Sequence, residues 1–223
     1  MEWNLTLARR KFITRLATAF GLAGAATAAH AEPVQAAPPA TWQGARHPED
    51  AWYDDTPAVH RFVFDTTSPE TLDRAMGYAD TFLNATKSGY GLKDSDSAVI
   101  IIVRHRSTRF GYNDAMWAKY GKHFSQQMDN FVDPKTKEAP IVNIHATAGG
   151  TMDKLIQRGA RIAICQVATR GTSSSLAKAT GGDADTIFNE LSANLVTNGR
   201  LVPAGIVAVN RAQEHGYAIY IAG

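Results

Sequence analysis

The sequence predicts an α/β fold built on an open, doubly wound and largely parallel sheet of about five strands. One basis for this prediction is the run Ser97–Val103, because unbroken branched apolar residues are typical of a strand buried on both faces. A further basis is alternation, since strand-like runs are followed by segments whose apolar residues recur at helical spacing. Strands separated by helices are joined by crossover connections, which parallel sheets require.

The first unit of this alternation is the most regular. A strand is predicted at residues 59–64, ending at Asp65. A helix follows, because Ser68 is a suitable N-cap and Pro69 suits the first helical turn. The apolar residues of this helix recur at helical spacing, and the helix is expected to end near Gly89.

The later elements follow from the same patterns. Helices are predicted at 113–120, 152–158, 173–180, 183–195 and 206–215, and strands at 161–168, 201–203 and 217–221. Residues 122–140 are polar and contain the turn signal Asp133-Pro134, so they predict a long loop. Long loops in compact domains often have functional roles.

The N-terminal residues 1–31 predict a signal peptide. They begin with a basic region that contains the pair Arg9 and Arg10, and they end with the small-x-small pattern Ala29-His30-Ala31. The arginine pair favours twin-arginine export across the bacterial inner membrane, with an ordinary Sec signal as the alternative. Either route predicts a periplasmic protein.

The chain that follows residue 31 is expected to form one domain. Without residues 1–31, Lys and Arg fall from 23 to 19 and Asp and Glu from 21 to 20, a net charge of −1, which gives no support for nucleic-acid binding. Residues 32–57 are rich in Ala and Pro and predict an extended arm before a domain at 58–223. The arm's Trp42, Trp52 and Tyr53 are expected to pack either on their own domain or on a neighbouring subunit.

Cys165, within the predicted strand 161–168, is the only cysteine of the chain. It cannot form an internal disulfide, so it is a candidate nucleophile whose thiolate would be favoured by a nearby cation. The alternative is a structural role, since free cysteines are among the most buried residue types. The pattern alone leaves both roles open.

Polar residues at three strand ends are further candidates, because ligands of α/β sheets bind outside the carboxyl ends of the strands. The ends are Asp65 with Thr66, Arg104 with His105, and the segment 165–171. Arg104 and His105 begin a local basic cluster with Arg106 and Arg109, which either attracts an anion or is a solvated strand end.

Thr169, Arg170 and Gly171 are expected in a hydroxyl-rich turn that leads into a helix. Backbone N–H groups at a helix start suit anions, although an ordinary N-cap turn has the same pattern. Metal ligation has little support because HxH and HExxH spacings are missing. Walker A, GxGxxG and GxSxG motifs are also missing, and the sequence identifies no cofactor.

Three stretches together carry a family resemblance: residues 113–120, the Cys165 strand, and residues 201–217. In order and spacing they resemble the DsrE/DsrF-like family, in its exported branch, over about residues 59–223. The resemblance implies a three-layer flavodoxin-like fold and assembly as dimers, trimers or hexamers. It also implies a persulfide on a cysteine near the end of a central strand, for which Cys165 is the only candidate. Asn113, at the start of the first stretch, joins the candidate ligand-binding residues.

Two functional hypotheses follow. In the first, the protein is an exported sulfur carrier or sulfurtransferase component that holds a persulfide on Cys165, with Arg104, His105 and Arg170 stabilising the anion. Its partners would be a small sulfur-containing anion or a thiol. In the alternative, it is a periplasmic ligand-binding or oligomeric scaffold protein without a covalent step.

Overall fold

Five parallel strands form one sheet in the order β4-β3-β2-β1-β5. The strands are β1 His60–Thr66, β2 Ser97–Val103, β3 Arg161–Cys165, β4 Gly199–Val202 and β5 Ala218–Ile221. The structure is a computed structural model that describes residues 42–222. The predicted fold class, a three-layer flavodoxin-like α/β fold with about five strands, is confirmed. The predicted signal peptide and residues 32–41 of the predicted arm lie outside the described residues.

Within residues 42–222 the strands are accompanied by six α-helices and three short 3-10 helices. The α-helices are α1 Pro69–Tyr90, α2 Asp114–Gln126, α3 Thr151–Gln157, α4 Gln166–Thr180, α5 Ala184–Ala193 and α6 Gly205–Glu214. The 3-10 helices are Pro48–Tyr53, Asp94–Asp96 and His105–Gly111. None of the helices in this part of the chain is long and apolar enough to cross a bilayer.

The helices form two layers of unequal thickness. Side chains from α1 to α5 share one apolar cluster with one face of the sheet, including Phe64 and Ile101. The other face packs against α6 and the 3-10 helix Pro48–Tyr53, through residues such as Val63 and Ile100. Alternate residues of a strand point to opposite faces, so β1 and β2 contribute to both clusters and are buried on both sides.

The start of α1 has the geometry that the sequence predicts. The hydroxyl of Ser68 accepts a hydrogen bond from the backbone N–H of Thr71, and the Thr71 hydroxyl accepts one from the backbone N–H of Ser68. This reciprocal capping satisfies two N–H groups that have no partner within the helix. The helix continues past Gly89 to Tyr90, and Gly91 then closes it with a left-handed φ of 69°.

The boundary between β3 and α4 corrects the prediction. The predicted strand 161–168 is too long, because β3 ends at Cys165, whose Cα partner is Val202, the last residue of β4. Helix α4 therefore begins at Gln166, and Gly171 lies inside a helix that was predicted to start at residue 173. The hydroxyls of this segment find partners within the helix, since they donate to carbonyls three or four residues earlier, as Thr172 does to Ala168.

Helix α2 also differs from its prediction. It continues to Gln126 rather than ending at residue 120, so the predicted loop 122–140 is partly helical. The loop passes very close to the helix, where a Cβ at Gly121 would lie 2.0 Å from the carbonyl oxygen of Pro140. Gly121 is thus required for this approach rather than for ending the helix.

Asn143 fixes the second half of the connection between α2 and α3, residues 127–150, from a fully buried position. Its Nδ2 donates to the carbonyl oxygens of Phe110 and Tyr112, at 2.9 and 2.7 Å. Its Oδ1 accepts the backbone N–H groups of His145 and Ala146. One amide side chain therefore satisfies four backbone groups that have few alternatives in the interior.

His145 closes the same loop against α1. Its ring is buried beside Phe110, and its Nε2 lies 3.5 Å from Oδ1 of Asp73 without a hydrogen bond. Burial lowers the pKa of His145, while the carboxylate of Asp73 acts in the opposite direction. The folded protein therefore favours the neutral ring.

Residues 42–57, which we call the N-terminal segment, pack on the domain that follows them. Trp52 and Tyr53 are buried against the face covered by α6, which matches the first of the two arrangements considered for the arm aromatics, whereas Trp42 is exposed. Tyr217 donates through its hydroxyl to the carbonyl oxygen of Tyr53 at 2.7 Å. The compact unit thus includes residues 42–57 of the predicted arm.

Further polar contacts hold this segment to α6 and to the end of that helix. Nε of Arg211 donates to Asp50 at 2.6 Å, and Nδ1 of His215 lies 2.8 Å from a carboxylate oxygen of Asp54. Because the Arg211 side chain is buried, its ion pair with Asp50 is less screened than a surface pair.

We expect Asn143→Ala to lower the free energy of unfolding by about 3 kcal/mol or more, because it leaves several buried backbone groups without partners. The measurement is urea unfolding followed by circular dichroism. Asn84→Ala is the matched control, since the exposed Asn84 makes a single hydrogen bond to Asp80 on the surface of α1. If both variants lose a similar amount, within about 0.5 kcal/mol, the role assigned to Asn143 is wrong.

The depressed pKa of His145 predicts a loss of stability in mild acid. Because the unfolded chain binds this proton near pH 6.5 and the folded chain resists it, the contribution is complete above about pH 6.5 and is lost as the pH falls. We expect the free energy of unfolding of His145→Gln to depend less on pH between 7 and 5 than that of the unmodified protein. Equal pH dependence of the two proteins over this range would contradict the burial of a neutral ring at position 145.

Candidate functional site

Cys165 lies at the junction of β3 and α4 and is the N-cap residue of the helix. Its Sγ accepts the backbone N–H of Ala168 at 3.4 Å. The residue is 6% exposed, and it belongs to neither of the two apolar clusters that contain Ile162, Ala163 and Ile164. The first N–H groups of a helix carry partial positive charge, so the sulfur lies at the positive end of α4.

The strand order places this junction at the topological switch point of the sheet, where the connections from two neighbouring strands run to opposite faces. The connection after β3 is α4, which packs on the face shared by α1 to α5, whereas the connection after β4 is α6, on the opposite face. The two connections therefore leave neighbouring strand ends, Cys165 and Val202, toward opposite faces of the sheet. Such a crevice is where open α/β sheets bind ligands.

Arg104 supplies positive charge to this crevice. Its Nε and Nη2 donate to the two carboxylate oxygens of Asp65, at 2.8 and 2.7 Å, and Asp65 is nearly fully buried. The pKa of Arg104 is raised, first by these hydrogen bonds and, among smaller contributions, by the charge of nearby Cys165. Its Nη1 makes no hydrogen bond within residues 42–222, so one face of the guanidinium remains available to an anion.

The start of α6 completes the crevice. The side chain of Arg104 lies against Gly205, where an added Cβ would approach the Arg104 side chain to 2.6 Å. The N-cap of α6 is Ala204, which has no side chain able to accept from the first N–H groups of the helix. Two helix N-termini and one guanidinium thus point to the same region. Val167 and Ile206, in the first turns of α4 and α6, are exposed apolar residues beside it.

The rest of the predicted basic cluster is directed elsewhere. His105 is exposed and has a left-handed φ of 51°. Arg106 pairs with Asp129. Arg109 is buried, and it donates to the carbonyl oxygen of His105 and to Gln127. The structure therefore brings together Cys165, Arg104 and Asp65, and leaves the other three basic residues in separate contacts.

Thr169 lies directly beneath the cysteine. Its hydroxyl donates to the carbonyl oxygen of Cys165 at 2.9 Å and accepts from the hydroxyl of Tyr112. Burial raises the pKa of Tyr112 to about 12, so this phenol stays protonated and a hydrogen-bond donor at neutral pH. The hydroxyl of Thr169 is thus fully engaged in orienting the strand-helix junction.

Within the part of the chain that the structure describes, the side chain of Arg170 makes its contacts away from Cys165, and Gly171 has no side chain to contact it. Nη1 of Arg170 pairs with Asp185 at 2.7 Å, and the guanidinium lies 3.7 Å from the centre of the Phe188 ring. Both partners belong to α5. Gly171 is exposed in the interior of α4, with open space where a Cβ would be.

Asn113 lies in a different part of the fold. It is the N-cap of α2, where its Oδ1 accepts the backbone N–H of Met116, and its Nδ2 donates to Asn194. It faces a cavity shared with Leu195 rather than the crevice of Cys165.

Tyr112 is the one residue near the site that the sequence analysis missed. Its only signal is its place just after the basic cluster, which does not show that the ring reaches Thr169. The described residues contain no group of three His, Cys, Asp or Glu side chains arranged to hold a metal ion.

Comparisons with known proteins add little to this geometry. No protein-family model matches the chain, and no curated protein matches it. Among solved structures, the chain is similar to MTH1491, a protein of unknown function from Methanobacterium thermoautotrophicum. The two share 12% identity and a TM-score of 0.39, over 73% of this chain and 98% of the other.

Proposed function

We propose that the protein carries sulfane sulfur as a persulfide on Cys165, as an exported sulfur carrier or sulfurtransferase component of the DsrE-like type. The observation that supports this most is the position of the sulfur, at the N-terminus of α4 and beside Arg104. Positive charge beside a cysteine is the environment in which reactive cysteines are found, and the thiolate is the nucleophile.

The loading step is a displacement at sulfur. The Cys165 thiolate attacks the outer sulfur of a donor such as thiosulfate, a new S–S bond forms, and the S–S bond of thiosulfate breaks. Sulfite leaves with the electron pair, so no external oxidant or reductant is needed. The product is the persulfide anion Cys165–S–S⁻.

The persulfide anion would occupy the crevice between α4 and α6. The free Nη1 of Arg104 is available to its terminal sulfur, and the N–H groups at the start of both helices add partial positive charge. Asp65 holds the guanidinium in position through two hydrogen bonds. In this scheme Arg104 alone stabilises the anion, in place of the predicted set of Arg104, His105 and Arg170. Arg170 is left out because it is paired with Asp185.

The unloading step requires a second molecule. Cys165 is the only cysteine in the chain, so no internal thiol can take the sulfur. A thiolate of another molecule attacks the terminal sulfur, takes it as a new persulfide and releases the Cys165 thiolate. We place this exchange in the bacterial periplasm and in a homo-oligomer, as the signal-peptide pattern and the family resemblance suggest.

One observation favours the alternative, a periplasmic ligand-binding or scaffold protein without covalent chemistry. Cys165 is only 6% exposed, and a sulfur that no donor reaches would act only as an N-cap. The two functions differ in whether the folded protein accepts sulfur, which the following experiment measures.

We expect thiosulfate or polysulfide treatment of the folded protein to add about 32 Da to Cys165, observed by intact-mass and peptide mass spectrometry. The adduct should approach one per chain and should be removed by a thiol reductant. Cys165→Ser is the control, because serine is a good N-cap and keeps the helix start intact.

The proposal fails if the folded protein gains no sulfur and iodoacetamide modifies Cys165 only after denaturation. Circular dichroism of Cys165→Ser must match that of the unmodified protein, so that loss of the adduct reports the missing sulfur atom and not a missing fold.

The pair of Arg104 and Asp65 predicts opposite changes in thiol reactivity. Removing the cation in Arg104→Gln should slow alkylation of Cys165 by iodoacetamide about threefold to tenfold, because the thiolate loses its favourable charge. Removing the anion in Asp65→Asn should accelerate it, because the charge of Arg104 is then uncompensated. The measurement is the alkylation rate near neutral pH.

Arg170→Gln is the control for this series and should leave the rate unchanged, since its guanidinium contacts α5. A general loosening of the fold would accelerate alkylation in both Arg104→Gln and Asp65→Asn. Equal acceleration in these two variants would therefore contradict the electrostatic role of Arg104.

A further inference from the structure

A cavity of about 370 Å³ lies between the start of α2, helix α3 and the connection from α5 to β4. None of the residues proposed for sulfur chemistry lines it. Its volume is within the range of cavities that hold small organic ligands, roughly 300 to 1,000 Å³. Of the residues predicted as ligand-binding, Asn113 is the one that lines it.

The wall of the cavity has two chemically distinct parts. Ile156, Leu195 and Val196 form an apolar part, and Asp114 and Asp153 supply two carboxylates. No Lys, Arg or His side chain lines the cavity. This combination is typical of a site that takes an apolar body with one polar end.

The two carboxylates have no cationic partner within residues 42–222. Oδ1 of Asp114 accepts the backbone N–H of Asn143 at 2.7 Å, and Oδ2 of Asp153 accepts the backbone N–H of Gly149 and a side-chain N–H of Gln157. These bonds fix the orientation of both side chains. Neither Asp114 nor Asp153 forms an ion pair with another described residue.

The charge balance decides the sign of the ligand. The N-terminus of α2 contributes roughly half a positive charge, which two carboxylates outweigh. An anionic ligand would therefore be repelled, whereas an ammonium group would form charge-assisted hydrogen bonds with Asp114 and Asp153.

From these observations we propose that the cavity binds a small organic amine, with its ammonium group on Asp114 and Asp153 and its apolar body against Ile156, Leu195 and Val196. This binding function is separate from sulfur transfer at Cys165, and neither depends on the other. Asn113 is a positioning residue for the start of α2 at the cavity wall.

The test uses two probes of nearly equal shape, cyclohexylmethylamine and the neutral cyclohexylmethanol. Binding to the full folded chain is followed by ¹H–¹⁵N NMR titration at neutral pH. We expect the amine to bind with a Kd on the order of 1 mM, as suits a fragment of this size, and to shift the backbone signals of Asn113 and Thr197. The alcohol should bind at least about tenfold more weakly, because it cannot form the ion pair.

Four variants assign the effect to the cavity. Asp114→Asn and Asp153→Asn should each weaken amine binding about tenfold, whereas Asp55→Asn, at an exposed carboxylate outside the cavity, should not change it. Ala115→Leu fills the cavity from the surface of α2 without altering charge, and it should weaken both probes.

Equal affinity for amine and alcohol would overturn the proposal, as would amine binding that survives both Asp114→Asn and Asp153→Asn. Absence of binding up to about 20 mM amine in the folded protein would overturn it too. The titration is repeated with Cys165→Ser, where the amine should bind as before, so that the outcome is independent of the sulfur-transfer proposal.

Discussion

The handedness of parallel crossovers determines where this protein can build a site. The chain adds β2, β3 and β4 on one side of β1 and then returns to place β5 on the other side. Because such connections are right-handed, the return must run over the opposite face of the sheet, and α6 is that return. The reversal separates the connections after β3 and β4, and the only cysteine lies at the last residue of β3. The crevice is therefore a consequence of topology before any side chain is considered.

Within the crevice, the arrangement of charges determines the electrostatic environment of Cys165. Asp65 is buried and would be unfavourable near a thiolate if it were alone, but both of its oxygens are engaged by Arg104. The guanidinium is also near enough to Cys165 for the two groups to interact electrostatically, and its Nη1 makes no hydrogen bond within residues 42–222. Backbone N–H groups of α4 and α6 add further partial positive charge. Three positive features, the guanidinium and the two helix N-termini, thus favour negative charge at one place, although each is common by itself.

The sequence predicted the elements whose signal is local. The branched run Ser97–Val103 has the predicted bounds in the structure, as β2, and Ser68 caps α1 as predicted. The end of β3 was not predictable in this way, because its length is set by the short partner β4. Serine and threonine in α4 are poor helix formers by propensity, and their helix depends on packing against the sheet.

The site was predictable only in part, for a related reason. Cys165, Arg104 and Asp65 each end a strand, and parallel strands bring their carboxyl ends together. The partner of Arg170 is 15 residues away on the next helix, and no periodicity indicates that pairing. The link from Tyr112 to Thr169 spans 57 residues and depends on the path of a 3-10 helix across the sheet. The sequence pattern of a single helix or strand does not indicate which residues of other elements it will contact.

The packing of the N-terminal segment has a consequence for how the chain matures during synthesis. Tyr53 and Asp54 make hydrogen bonds with Tyr217 and His215, more than 160 residues later in the chain. While the ribosome is still adding α6 and β5, Tyr53 lacks its contacts with Ala208, His215 and Tyr217, and the face of the sheet that α6 covers lies open to water. Complete docking of the N-terminal segment is thus postponed until translation is nearly complete. A nascent chain stalled before residue 205 would expose apolar surface of the kind that chaperones bind.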